Sequence, residues 1–526
     1  MKKLLLILCF LIATGGSLAQ ATVYTVCHTC DHRSVTEAFS SNDLEPGDII
    51  EVQAATIGGT SVFYSEFIVP GNEDDGASGN PVIIKARDGD TITLSAYKDA
   101  VTSEQMRVIS ANGYADYLSW RNLKFHGGSI ATVQIWYQDY NRFENCDFIG
   151  GPAYGLYLQD ITYFAMEDCT VDGYAANDAV HIGKTDDYAM VGTKLDGVTV
   201  TNSATGIEIR DGDFTGGTFN NLHVSNCSGT GISIESAASN VLITNSTTNN
   251  NAIGLRFDAS SGVVEDHIAI GNTGDGMATN TGGVAIFRRC YTEDNGSAAA
   301  MAGEGFTAHS TDQLTLEYCV GINNWNAGVG CTANSGVTII GGTFIGNGEQ
   351  KNERNSNIWI DSDGKWVIKN TITKCLDPTR YEVKVTSNGI GATLVSLDYN
   401  IYGVKDRFYW DAAQISFATF KANTGGDANS LNTDPLLATT GVSNYRLQDG
   451  SPAYNAGTSG VTMESTTDHR GRSVPKNVFY DVGAYESMRV YRAPDIGAYE
   501  SKKKSVMEPV RNNAFGIPHF IRRHSP

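Results

Sequence analysis

The stretch ATGIEIRDGD, residues 204–213, sets Glu208 and Arg210 at alternate positions around Ile209, with Asp211 and Asp213 close behind. Alternate side chains of a strand point to opposite faces, so Ile207 and Ile209 would face inward and the two charges outward together. The same spacing recurs in GISIE, which carries Glu235, and in GLRFD, which carries Arg256 and Asp258. AVHIG carries His181, with Lys184 just beyond it. Carboxylates, guanidinium groups, an imidazole and an amine on one face can move protons, stabilise developing negative charge or hold a hard cation. The plainer expectation is an exposed lattice, Arg210 with Glu235 and Arg256 with Asp258, at about 0–1 kcal/mol per pair.

These residues need a scaffold that repeats. A small residue followed by apolar–any–apolar recurs in TVQIW (from Thr132), GLYLQ (Gly155), AVHIG (Ala179), GIEIR (Gly206), GISIE (Gly231), GLRFD (Gly254), GMATN (Gly276), GFTAH (Gly305) and GVGCT (Gly328). The steps run from 22 to 29 residues, and no helix-period segment interrupts them. A second motif runs in phase: ENCDFIGG, EDCTVDGY, LDGVTVTN, RRCYTEDN and EYCVGINN lead into Gly/Asn turns. Short strands at this period predict an all-β, single-stranded parallel solenoid, in which each coil buries its inward residues by stacking on its neighbours.

The opening residues MKKLLLILCFLIATGGSLAQA read as a secretory signal peptide, cleaved after Ala19 or Ala21, which places the mature chain outside the cytoplasm: secreted, periplasmic or at the cell surface. Cys9 lacks the small residues of a lipid-anchor site, and no later stretch is long enough to span a membrane. The net charge of −20 argues against nucleic acid and requires a local basic groove or a bridging cation for any anionic polymer. Cys27 and Cys30 in CHTC read as a local disulfide or two free thiols, ahead of a zinc or redox role. Cys146, Cys169, Cys290 and Cys319 share one place in the second motif and are expected to align in the core. The Asn-rich TNSTTNNNAIG reads as a turn ladder, and His126, His223 and His267 as turn or surface residues.

This pattern resembles the right-handed parallel β-helix of the pectate-lyase-like superfamily. GDIIEVQA, YSEFIVPG and GASGNPVIIKARDGD resemble its first coils. DPLLA, YRLQDGSPAYNAGT and DVGAYES resemble a closing tail common in bacterial β-helix proteins. The organisation expected is a signal peptide (1–21), an N-terminal cap and first coils (22–105), a parallel β-helix (106–410), C-terminal coils with the closing motif (411–500) and a basic mobile tail (501–526). DVGAYES at Asp481 is repeated as DIGAYES at Asp495.

Stacking the coils gives two outward columns. One runs Gln134, Tyr157, His181, Glu208, Ser233, Arg256, Ala278, Thr307; the other runs Trp136, Gln159, Gly183, Arg210, Glu235, Asp258, Asn280, His309. The resemblance implies that such a face binds carbohydrate and carries chemistry, here β-elimination from a uronic-acid polysaccharide. Arg210, Arg256, His181 and Lys184 are the candidate base and stabilisers. Trp136, Tyr157, Asn280 and His309 would bind sugar, and Glu208, Glu235 and Asp258 would hold Ca²⁺, with Asp186 and Asp187 as substitutes. The expected partner is an acidic polysaccharide and the expected state a monomer. A glycoside hydrolase using Glu208 and Asp258 is the rival chemistry. A non-catalytic, adhesin-like glycan-binding protein is the alternative of a different class. The mixed charges of the columns favour the enzyme.

Overall fold

The computed structural model describes residues 21–484, apart from 65, 72, 97–106, 114, 152, 186–189, 299–302, 311, 349–353, 392, 404–405, 439–444, 462–463, 472 and 474–479. The leader, Asp186 and Asp187, the DIGAYES repeat and the basic tail lie outside the described residues.

Three sheets of 15, 15 and 14 strands make up the fold, and successive strands of each come from successive coils. The first sheet runs from Val23–Val26 to Thr393–Asp398, the second from Thr60–Tyr64 to Leu431–Asn432, and the third from Ile109–Asn112 to Phe408–Trp410. Pairing between the named strands is parallel except at Ala413–Ile415, which turns back antiparallel on Phe408–Trp410. Ile207, Ile209, Leu255 and Phe257 are wholly buried, as the alternation requires.

From Leu118–Arg121 onward a single left-handed residue makes the corner between the first and second sheets, as at Asn145, Asp168, Gly197, Asn221, Asn245 and Asp266, where φ is near +50 to +68°. Asn, Asp and Gly tolerate that conformation best. The residue after each corner turns inward. Cys146, Cys169, Cys290 and Cys319 stand there, buried and unpaired. His267 stands in the same column: of the expected turn or surface placement the turn holds, and the surface does not. It is fully buried, one ring nitrogen lies 2.9 Å from Thr248 Oγ1, and burial lowers its pKa to about 3. The Asn-rich segment is likewise more than a turn. Asn251, Asn272, Asn295, Asn324, Asn347 and Asn357 form a buried ladder, each side-chain oxygen after the first accepting from the coil before. Buried Glu382 receives the last amide.

Cys27 and Cys30 are disulfide-bonded. Two short helices lie outside the repeat, one near each end of the described chain. Val35–Ser41, N-capped by Ser34, sets Phe39 against Trp120. Phe417–Thr424 stacks Phe420 on Phe408. The chain then returns along the coils. Glu464 and Ser465 donate backbone N–H to Glu317, Gly483 to the Asn370 carbonyl, and Ala484 to Thr343 Oγ1.

Candidate functional site

The third sheet places the outward residues in register. Gln134, Tyr157, His181, Glu208, Ser233, Arg256, Ala278 and Thr307 are consecutive partners. The column continues through Gly330, Trp359, Lys384 and Tyr409. In the second column Trp136, Gln159 and Gly183 pair in turn, as do Arg210, Glu235, Asp258 and Asn280.

The densest chemistry lies around His181. Its Nδ1 is 2.5 Å from Glu208 Oε2, one coil on, and 3.1 Å from Asp178 Oδ2 at the start of its own strand. Its ring stacks on Tyr157 at 4.7 Å and meets the edge of Tyr154 at 5.4 Å. Gly183 occupies an outward position without a side chain. A Cβ there would lie 2.9 Å from Arg210 Cγ and 3.4 Å from His181 Nε2, so the glycine lets the arginine stem fold back beside the imidazole. The guanidinium bonds Asp211 at 2.8 Å and stands 3.8 Å from Glu208. Burial alone would lower the His181 pKa, but the hydrogen bonds and charges of Asp178 and Glu208 outweigh it and leave the group above its ordinary value. Burial, reinforced by repulsion from Asp178, raises Glu208 against the pull of His181. Trp136 lies 6.1 Å from Tyr157.

The remaining candidates group differently from expectation. Arg210 does not take Glu235. Arg256 does, at 2.6 Å, with Ser233 bonding the same carboxylate oxygen, while Asp258 is 4.0 Å from Arg256 and accepts from Asn280. Glu208, Glu235 and Asp258, expected to share Ca²⁺, therefore do not converge. Glu208 turns to the imidazole and Glu235 is neutralised by Arg256. Among the described residues only Asp178, His181 and Glu208 bring metal-binding atoms together, and that set contains nitrogen, which Ca²⁺ does not favour. Glu208 and Asp258, the rival hydrolytic pair, stand two coils apart in different columns. Lys184 is half-buried at the strand end.

His309 belongs to a second cluster the sequence reading missed. Its Nε2 is 3.7 Å from Asp275, and Glu304 hydrogen-bonds Asp275. Arg354 holds Glu304 at 2.7 Å and stacks 4.5 Å over Trp359. Burial, then repulsion from Asp275, pushes Glu304 up to about 7. Carboxyl groups in hydrogen-bond contact are too close for either glycosidase arrangement, which needs about 5 Å or more. Asp178, Asp275 and Glu304 each precede the small residue of a repeat (Ala179, Gly276, Gly305), and that shared place was the available signal.

No curated protein sequence matches the chain. In solved structures the chain is similar to pectate lyase Pel9A (17% identity over 89% of this chain and 97% of that one, TM-score 0.35). It is also similar to tailspike protein 3 of bacteriophage CBA120 (12%, 77% and 60%, TM-score 0.47). A third likeness is to an alginate lyase from Paenibacillus sp. FPU-7 (10%, 61% and 94%, TM-score 0.32). Residues 178–345 match the family model described as "Right handed beta helix region". With three parallel sheets continuing that architecture to either side, the described chain is a right-handed parallel β-helix.

Proposed function

We propose that the protein is an exported polysaccharide lyase that cleaves a uronic-acid-containing polymer by β-elimination on the third sheet. The observation that carries the reading is Arg210 folded back over Gly183 beside an imidazole whose other nitrogen faces two carboxylates. Asp178 and Glu208 keep the proton on Nδ1, so Nε2 carries the basic lone pair. Nε2 removes the proton on the carbon beside the uronate carboxylate. Arg210 stabilises the charge that develops on that carboxylate. The electron pair then forms a carbon–carbon double bond as the glycosidic C–O bond breaks, and the Tyr157 hydroxyl donates its proton to the leaving oxygen. Trp136 and Tyr157 offer apolar ring surface to a sugar. Arg256, Asn280 and His309 extend the polar face along the later coils. No step uses Ca²⁺, because the carboxylates expected to hold it do not meet.

The test is incubation with a panel of polyuronates while following the ultraviolet absorbance of unsaturated uronate. The expected result is new absorbance with the native protein and a greatly reduced rate with Arg210→Ala or His181→Ala. Cleavage that yields saturated ends would indicate hydrolysis instead. Binding without cleavage on every polymer would support the glycan-binding alternative.

A further inference from the structure

We propose that Asp178, His181 and Glu208 form a binding site for a first-row transition dication of the Zn²⁺ or Mn²⁺ type. Their three ligand atoms lie within 4.8 Å of one another and come from two adjacent coils. The geometry leaves the cluster short of positive charge. Nδ1 can carry one hydrogen, which serves one acceptor, yet carboxylate oxygens from two residues converge on it at 2.5 and 3.1 Å. The nearest guanidinium does not make up the difference: Arg210 bonds Asp211 at 2.8 Å and stays 3.8 Å from Glu208. Among the described residues Asp178 has no ion-pair partner other than His181. A dication can bond the nitrogen and both carboxylates at once, which a single proton cannot.

The ring is also held for this purpose. Tyr157 stacks on one face and the edge of Tyr154 meets it, so Nδ1 stays turned toward the carboxylates. One imidazole nitrogen with two carboxylate oxygens suits Zn²⁺ or Mn²⁺, whereas Ca²⁺ takes oxygen ligands. Three protein ligands leave a coordination position open, unlike a closed structural site.

The same sheet contains its own control. Asp275, Glu304 and His309 also combine two carboxyl groups with a histidine, but there Arg354 bonds Glu304 at 2.7 Å, His309 Nδ1 faces Thr332 at 2.9 Å, and Nε2 stays 3.7 Å from Asp275. There a guanidinium already bonds one of the two carboxyl groups directly.

This inference does not rest on the elimination reading, since binding is measured without substrate. The test is calorimetric titration of the full chain, stripped with chelator, using Zn²⁺, Mn²⁺ and Ca²⁺ in turn. The expected result is one equivalent of Zn²⁺ or Mn²⁺ bound, a raised melting temperature and no comparable uptake of Ca²⁺. His181→Ala should weaken uptake at least about tenfold, the low end for disturbing a metal site. Asp178→Asn, which keeps the side-chain shape, should do the same if the alanine variant folds poorly. His309→Ala should bind as the native protein does. The proposal is overturned by no stoichiometric uptake, by uptake that survives both His181→Ala and Asp178→Asn, or by equal loss in His309→Ala.

Discussion

Arg210 is the side chain on which the elimination reading depends most directly. Its guanidinium and its nearest partner, Asp211, are each about a third exposed, and solvent screens that pair, so removing Arg210 should lower the melting temperature only slightly. Turnover should fall about 10²–10³-fold, the usual loss when a stabilising donor is removed; steady-state kinetics of Arg210→Ala checks both halves. His181 gives the pH dependence. Its folded pKa is raised, so kcat/KM should climb as pH rises through that value and the imidazolium gives up its proton. A profile that falls across the same range would assign the proton transfer elsewhere. Added Zn²⁺ should slow turnover and chelator restore it, because an ion on Nδ1 leaves Nε2 holding the proton. Glu304 supplies a stability test. Its carboxyl is raised to about 7, so the folded state holds the proton more tightly than the unfolded chain does. Stability should fall as pH rises from the ordinary glutamate value toward 7, by on the order of 3 kcal/mol at most. Glu304→Gln should flatten that slope in urea melts.

The strand is the scale at which the sequence was most legible. Alternation put Ile207 and Ile209 inside and Glu208 and Arg210 outside, and the period aligned the first column from Gln134 to Thr307 and the second within Trp136–Gly183 and within Arg210–Asn280. Side-chain directions were not legible. Whether Arg210 reaches forward to Glu235 or back over Gly183 depends on a missing Cβ in the previous coil. Asp178 and Glu304 escaped notice because residues at a strand's edge read as turn. His267 was legible as a turn residue, but its burial was not, because the corner geometry turns the position after Asp266 inward. Gly183→Ala tests the fold-back: it should reduce activity through displacement of Arg210, with circular dichroism unchanged. The asparagine ladder gives a contrasting prediction. Asn295→Ala removes the acceptor of the Asn272 backbone N–H and one of the two acceptors of its side-chain amide, at about 1–3 kcal/mol for each unsatisfied group. Denaturant unfolding measures it.

For the whole chain, stability belongs to neighbouring coils, with the returning C-terminal segment as the exception. Glu317 accepts from Glu464 and Ser465 while also bonding Arg288, so one carboxylate ties residues about 147 positions apart. Its removal should loosen that segment, and limited proteolysis should cut there before the coils. Electrostatics also acts at this scale. A chain of net charge −20 repels a polyuronate at long range. Screening shortens that repulsion to about 10 Å at 0.1 M salt, so KM for such a polymer should fall as salt is added.

The single-residue corner has a consequence for how such a molecule changes over generations. From Leu118–Arg121 onward the link between the first and second sheets holds a single left-handed residue, so an inserted residue there would shift every later strand of that coil. The links that enter and leave the third sheet have no such fixed length. Three residues join Thr199–Thr201 to Thr205–Arg210, whereas twelve join Tyr291–Glu293 to Phe306–Ala308. Those links flank the charged face. Heritable insertions that the coil can tolerate therefore arrive beside the groove, and the scaffold channels variation toward ligand choice while leaving the winding untouched.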